Sequence, residues 1–135
     1  MKYLITIFLI SICVTSFGQG KRLTDKQINE SGAQKLLFLD DINKVKGLAT
    51  KDIQDNIALL LLQSGDAPIV YLNDRSFEEK YNITYFESGC IGPTAKFAVE
   101  YNKYIFEYLD SKFGKGWRRE IRKDVIGLKE FRQSQ

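Results

Sequence analysis

The side chains of this chain that could do chemistry are carboxylates, lysines, tyrosines and thiols, because the sequence contains no histidine. Histidine is the usual general base at neutral pH, the partner of serine or cysteine nucleophiles and a common zinc ligand. Its absence removes triad hydrolases and ordinary zinc sites. The sequence also lacks a phosphate-binding glycine loop, a dinucleotide fingerprint and a calcium-binding loop. We therefore expect no cofactor and no metal, and we favour a non-enzymatic function over an enzymatic one.

Cys90 is the candidate nucleophile. It lies in the segment SGCIGP, residues 88–93, whose two glycines and proline predict a sharp turn before a helix. Backbone N–H groups at the start of a helix can stabilise a thiolate, which would suit a thiol-dependent enzyme or a redox sensor centred on Cys90. We favour a small buried hydrophobic side chain instead, because neither a histidine nor a second cysteine would assist the thiol. A dimer through an intermolecular Cys90 disulfide is the third interpretation.

Four carboxylates form a weaker candidate. A carboxylate-based hydrolase could use Asp74, Glu78, Glu79 or Glu87 as its acid and base. Pairs of carboxylates are common on protein surfaces, so the pattern does not distinguish a catalytic pair from ordinary surface charges.

The charge of the chain is unevenly distributed. Residues 112–135 contain eight Lys and Arg against three Asp and Glu, whereas residues 19–111 contain eleven against fourteen. A basic surface of this kind could meet an acidic partner protein or an anionic envelope component, including phospholipid headgroups in peripheral contact with a membrane. The alternative is a solvated helix face. The candidate binding residues are Lys115, Trp117, Arg118, Arg119, Arg122 and Lys123.

Aromatic residues recur at helical spacing between residues 97 and 108. Such a stripe is typical of a helix face that packs into a core. A small-molecule pocket is the alternative, with tyrosines from the strand region joining the stripe. The residues are Phe97, Tyr101, Tyr104, Ile105 and Tyr108 on the helix, and Tyr71, Tyr81 and Tyr85 outside it.

Residues 1–18 have the pattern of a cleavable signal peptide. Lys2 supplies a positive charge, residues 4–14 form an apolar run almost without polar interruption, and Gly18 precedes the expected cleavage. The apolar run is shorter than the roughly 20 residues that cross a bilayer. Lipid attachment at Cys13 is disfavoured, because Ile12 stands where a small residue is needed. We therefore expect an exported protein, periplasmic or secreted, which makes nucleic acid an improbable partner.

The remaining 117 residues are sufficient for one domain. We predict a polar N-terminal arm over residues 19–30 and a single globular α+β domain over residues 31–135, with helices packed on one face of a small sheet. A mainly α fold is the alternative. Local patterns predict helices from Ser31 to Gly47, after Thr50, over 77–81, over 94–112 with Gly114 as the stop, and over 117–123; they predict strands over 69–72 and 83–87, with 58–62 as either helix or strand. Together these expectations describe an exported binding protein whose partner is unknown.

Overall fold

The computed structural model describes residues 22–65 and 67–135, so the predicted signal peptide lies outside the described residues. This part of the chain contains helices and a two-stranded sheet, which confirms the predicted α+β class. The α-helices are α1 (Asp25–Glu30), α2 (Gly32–Lys35), α3 (Val45–Gln54), α4 (Asp74–Tyr81), α5 (Ala95–Phe113) and α6 (Leu128–Gln133); the strands are β1 (Leu59–Leu62) and β2 (Thr84–Glu87); the 3-10 helices are Leu36–Phe38, Ile42–Lys44 and Gly114–Arg119.

Strand β1 is at the centre of the fold. It pairs in parallel with β2, with Leu59 opposite Thr84. Its other edge bonds to the C-terminal segment: the Ile126 N–H donates to the Leu61 carbonyl at 3.0 Å, and the Gln63 N–H donates to the Asp124 carbonyl at 2.9 Å. All four residues of β1 are buried, as expected of an apolar strand that is covered on both faces.

Asn102 joins the long helix α5 to this centre. Its Nδ2 donates to the carbonyls of Leu61 and Ile126, both at 2.9 Å, and its Oδ1 accepts from the Leu61 N–H at 3.0 Å. The side chain is fully buried. Because these three bonds satisfy it, Asn102 fixes α5 against β1 without leaving a buried polar group unpaired.

Asp52 of α3 holds the start of α2. Its carboxylate accepts from the N–H groups of Gly32 at 2.7 Å and Ala33 at 3.1 Å, and from the Tyr101 hydroxyl at 2.7 Å. Burial raises the pKa of Asp52, although these donors oppose the shift. The two helices touch closely: a Cβ at Gly32 would lie 2.7 Å from the Leu48 Cβ. A larger residue at position 32 would force α2 and α3 apart.

Several predictions from local patterns are confirmed. The stripe of α5 buries Tyr101 and Ile105, and the helix ends at Gly114, where φ is +69°. Strand β2 lies within the predicted range, and residues 88–93 form turns and bends between β2 and α5. The strand interpretation of residues 58–62 is correct.

Other predictions are wrong. Gly47 and Thr50 lie inside α3 and neither end nor begin a helix. Part of the predicted polar arm forms α1, which begins with a capping box between Thr24 and Gln27. The basic helix predicted over residues 117–123 is a 3-10 helix that ends at Arg119.

The segment Ile69–Leu72 differs most from its prediction. It has strand-like composition, yet it adopts no regular structure and its side chains are exposed. A strand needs a partner for its backbone groups, and no described segment pairs with residues 69–72.

Candidate functional site

A cleft of about 480 Å³ opens over one face of the sheet. Side chains alternate between the faces of a strand, so the register places Leu62 of β1 on the same face as Tyr85 and Glu87 of β2. Helix α4 and residues 68–71 form walls of the cleft. Its volume is typical of a site for a small molecule or for a few residues of a peptide.

Arg122 ties these walls to the body of the protein. Its Nη1 donates to the Ile69 carbonyl at 2.8 Å and to Asp74 Oδ2 at 2.9 Å, while Nε and Nη2 donate to the Asp124 carboxylate at 2.9 and 2.6 Å. The Arg122 side chain is 7% exposed. The Arg122 guanidinium donates to Asp124 and lowers the pKa of that carboxyl group. A buried arginine with four committed N–H groups is a structural tie, and it leaves little capacity for an external anion.

Two tyrosine rings flank the same guanidinium. The Arg122 Cζ lies 4.8 Å from the ring centroid of Tyr71 and 5.5 Å from that of Tyr85. The Tyr85 hydroxyl also accepts from the Arg122 backbone N–H at 3.2 Å, and burial raises the pKa of this tyrosine. Both rings lie within cation–π distance of the guanidinium and add to the contacts that hold Arg122 in place.

Asp74 has an incomplete set of hydrogen bonds. Its Oδ2 accepts from Arg122 and from the Tyr71 N–H, the latter at 2.9 Å. Its Oδ1 is buried and has no hydrogen-bond partner among the described residues, a condition shared by no other buried side-chain nitrogen or oxygen atom in this part of the chain. A buried acceptor without a donor is unfavourable by about 1–3 kcal/mol. Asp74 lines the cleft, but this oxygen has no contact with solvent.

Glu78 and Glu87 supply carboxylates to the cleft that form no ion pair with a described cation. Glu78 accepts from the Tyr85 N–H at 2.8 Å, and Glu87 accepts from the Gly65 N–H at 3.1 Å. Burial raises the pKa of Glu78, and the negative charge of Asp74 adds to the shift. By contrast, Glu79 forms an ion pair with Arg75 at 2.7 Å.

Residues 69–72 present apolar side chains to solvent, and the first three of them also line the cleft. Val70 is 84% exposed and Leu72 is fully exposed, with Ile69 and Tyr71 about half exposed. The backbone of this segment is nevertheless held, since Ile69 and Tyr71 bond to Arg122 and Asp74. Four consecutive exposed apolar residues on a fixed backbone are typical of an interaction surface.

Comparison with protein families, with curated proteins and with solved structures found no significant match to this chain. The site must therefore be interpreted from its own geometry.

The structure divides the six residues predicted to form a basic binding surface. Trp117 is fully buried and its indole N–H donates to Asp110 at 3.0 Å, so its assignment to an exposed surface is wrong. Arg118 forms an ion pair with the same carboxylate, and Arg122 is the buried tie described above. The exposed members are Lys115, Arg119 and Lys123.

Cys90 is exposed in the turn that precedes α5, so the favoured prediction of a buried side chain is wrong. Asp74 and Arg75 line the cleft together, but the described lining residues do not include Cys90. The thiol therefore does not share a concave site with these charged residues.

The tyrosines also separate into two groups. On α5, Tyr101 is fully buried and Tyr104 and Tyr108 are partly buried against the core. Tyr71 and Tyr85 line the cleft. The helix stripe is therefore core. Tyr81 is buried in the core as well, so Tyr71 and Tyr85 are the members of the predicted set that reach the cleft.

The part of the chain that the structure describes contains no cluster of three metal-ligating side chains. None of the described helices has the length and apolarity needed to cross a bilayer.

The sequence does not predict that residues 69–72 are exposed, or that the four candidate carboxylates line one cleft. A short apolar run after Pro68 predicts a buried strand, and no local signal reveals that its partner strand is absent from the described chain. Asp74, Glu78, Glu79 and Glu87 were grouped by sequence, and all four line the cleft.

Proposed function

We propose that this is an exported, non-enzymatic binding protein that recognises a partner protein through the exposed segment 69–72 and the adjoining cleft. The observation that carries the proposal is the fixed backbone of this segment. Four apolar side chains remain in solvent while Arg122 and Asp74 hold the backbone beneath them. Apolar surface that is ordered before binding loses little conformational entropy when a partner covers it.

Site-specific photocrosslinking tests this proposal. A photoreactive amino acid replaces Leu72 in one variant and Lys129, an exposed residue of α6, in a matched control. With envelope extract, we expect one defined crosslinked product from position 72 and none from position 129. Addition of Val70→Ser should remove the product. Identical crosslinking from both positions, or a product that is insensitive to Val70→Ser, would contradict the proposal.

The basic surface provides the alternative within the same class. Lys115, Arg119 and Lys123 are the exposed members of the predicted set, and they could bind an anionic envelope component. Flotation with vesicles of phosphatidylglycerol separates the two ideas. We expect the Lys115→Ala, Arg119→Ala, Lys123→Ala triple variant to float no differently from the unaltered protein, and a large loss of flotation would favour the anionic component.

A carboxylate-based hydrolase is the second candidate function. The observation that favours it is the convergence of Asp74, Glu78, Glu79 and Glu87 on one cleft, with a raised pKa at Glu78. Two of the four carboxylates are engaged by arginines. Hydrolysis of 4-nitrophenyl glycosides that is abolished by Glu78→Gln and retained in Glu107→Gln would favour this candidate; we expect no turnover by either variant or by the unaltered protein.

A further inference from the structure

We propose that the cleft and segment 69–72 bind an extended, basic stretch of a partner polypeptide, which pairs with Val70 as a β-strand and places a lysine or arginine side chain near Glu78. This inference rests on the proposed function and names the chemistry of the partner. Three independent features of the described residues support it.

The first feature is the pattern of backbone hydrogen bonds. The Ile69 carbonyl and the Tyr71 N–H accept and donate within the protein, and the Tyr71 carbonyl accepts from the Asp74 N–H at 3.1 Å. No described group bonds to the N–H or the carbonyl of Val70 between them. In an edge strand, the backbone groups of alternate residues bond to the protein, and those of the residues between them face outward. A polypeptide backbone is the ligand that satisfies such an edge.

The second feature is the charge of the cleft. Arg122 is engaged by Asp74 and Asp124, and Arg75 by Glu79. Two carboxylates in the described part of the cleft, Glu78 and Glu87, are then left unpaired. Among the described lining residues, Arg22 is the single cation that is left to balance them. The charge of Arg22 acts on Glu78 without forming an ion pair. A further cation is therefore favoured in this cleft, and an acidic ligand is not.

The third feature is the incomplete carboxylate of Asp74. The residue is 7% exposed, it lines the cleft, and its Oδ1 has no donor among the described residues. Oδ1 itself has no contact with solvent, so Asp74 acts on the cleft through its negative charge, which favours a nearby lysine or arginine side chain over an acidic one.

The test uses three fluorescein-labelled peptides of equal length: Val-Lys-Val-Lys-Val, Val-Gln-Val-Gln-Val and Val-Glu-Val-Glu-Val, each acetylated and amidated. Fluorescence anisotropy should show the basic peptide binding at least about tenfold more tightly than the acidic one, a difference of about 1.4 kcal/mol. The basic peptide should lose affinity as salt rises. Absence of binding by the basic peptide at millimolar concentration, or equal binding of all three, would overturn the inference.

Two further changes test the geometry. Glu78→Gln keeps an acceptor for the Tyr85 N–H, so the fold should be retained, and it should weaken the basic peptide at least about fivefold; Glu107→Gln, on the exposed face of α5, is the matched control. Methylation of the central backbone nitrogen of the peptide should weaken binding about tenfold, because it removes the donor to the Val70 carbonyl. Unchanged affinity in either case contradicts the inference.

The results also separate this inference from the proposed function. Crosslinking at position 72 that depends on Val70, together with no preference for the basic peptide, leaves the binding protein standing and removes the basic strand. Loss of crosslinking at position 72 contradicts the proposed function and, with it, the inference, whatever the peptides show.

Discussion

The two sides of the sheet treat buried polar groups differently. On the α5 side, Asn102 and Asp52 have partners for every buried side-chain atom. On the cleft side, Asp74 keeps a buried oxygen without a described donor, and apolar residues beside it stay in solvent. The α5 side therefore satisfies its buried polar side chains, whereas the cleft side leaves one buried carboxylate oxygen without a described donor. Under the proposed function, the α5 side supplies stability and the cleft side supplies the recognition surface.

The largest expected effect is at Asn102. Asn102→Ala removes three hydrogen bonds and leaves the Leu61 N–H and the Ile126 carbonyl buried without this partner. We expect the free energy of unfolding to fall by about 3–5 kcal/mol in urea denaturation. Asn29→Ala, at an exposed position of α1, should change it by less than about 0.5 kcal/mol. A small effect at Asn102 would remove the distinction between the two sides.

Arg122→Met should have the next largest effect. It leaves the carboxylate of Asp74 buried without its cation, and we expect a loss of about 3 kcal/mol. The double variant Arg122→Met, Asp74→Leu should recover more than half of that loss, because no buried charge then remains. The free energy of unfolding of both variants would be measured by urea denaturation. A double variant as unstable as the single one would show that the arginine acts through packing and not through its charge.

A matched pair of tyrosines gives a smaller difference. Tyr101→Phe removes a donor to the buried Asp52 carboxylate and should lower the free energy of unfolding by about 2 kcal/mol, whereas Tyr85→Phe removes an acceptor of a backbone N–H and should lower it by about 1 kcal/mol. Equal losses in thermal or urea denaturation would contradict the contrast between the sides.

The loss in Tyr101→Phe should also depend on pH. The folded-state pKa of Asp52 lies above its unfolded value, so protonation of Asp52 stabilises the folded state. This stabilisation is lost as pH rises through the folded-state pKa. Removal of the Tyr101 hydroxyl raises that pKa further. The deficit of Tyr101→Phe should therefore be larger at neutral pH than at pH 4.

The smallest effect on stability is expected at Leu72. Its side chain is fully exposed, so Leu72→Ser should change the free energy of unfolding by less than about 0.5 kcal/mol. Under the proposed function the same change should abolish partner capture. A stability loss above 1 kcal/mol would place Leu72 in the fold and not in the recognition surface.

Patterns within one segment were enough to predict α5, its stop at Gly114 and strand β2, because helix periodicity, a glycine at a positive φ and β-branched residues act locally. Gly47 misled because a helix tolerates glycine at about 1 kcal/mol, and the surrounding packing of α3 offsets that. A Cβ at position 47 would meet no atom within 4 Å, so nothing in the fold requires glycine there.

The cleft could not be predicted in the same way. Arg122 meets Asp74 across 48 positions of sequence. Trp117 is buried against Phe106 and Phe131, and Asp110 accepts its indole N–H. Basic composition alone cannot distinguish the buried Arg122 from the exposed Lys115, Arg119 and Lys123. Burial of charge depends on partners that only the tertiary fold provides.

The position of β1 has a consequence for the order of folding. Its neighbours are β2 on one edge and residues 124–126, near the C-terminus, on the other. Closing the core therefore requires contacts between segments about 65 positions apart, as between Leu61 and Ile126, and such contacts form slowly. During synthesis β1 stays unpaired on one edge until residues 124–126 have emerged, so the core closes only after α5 has been made.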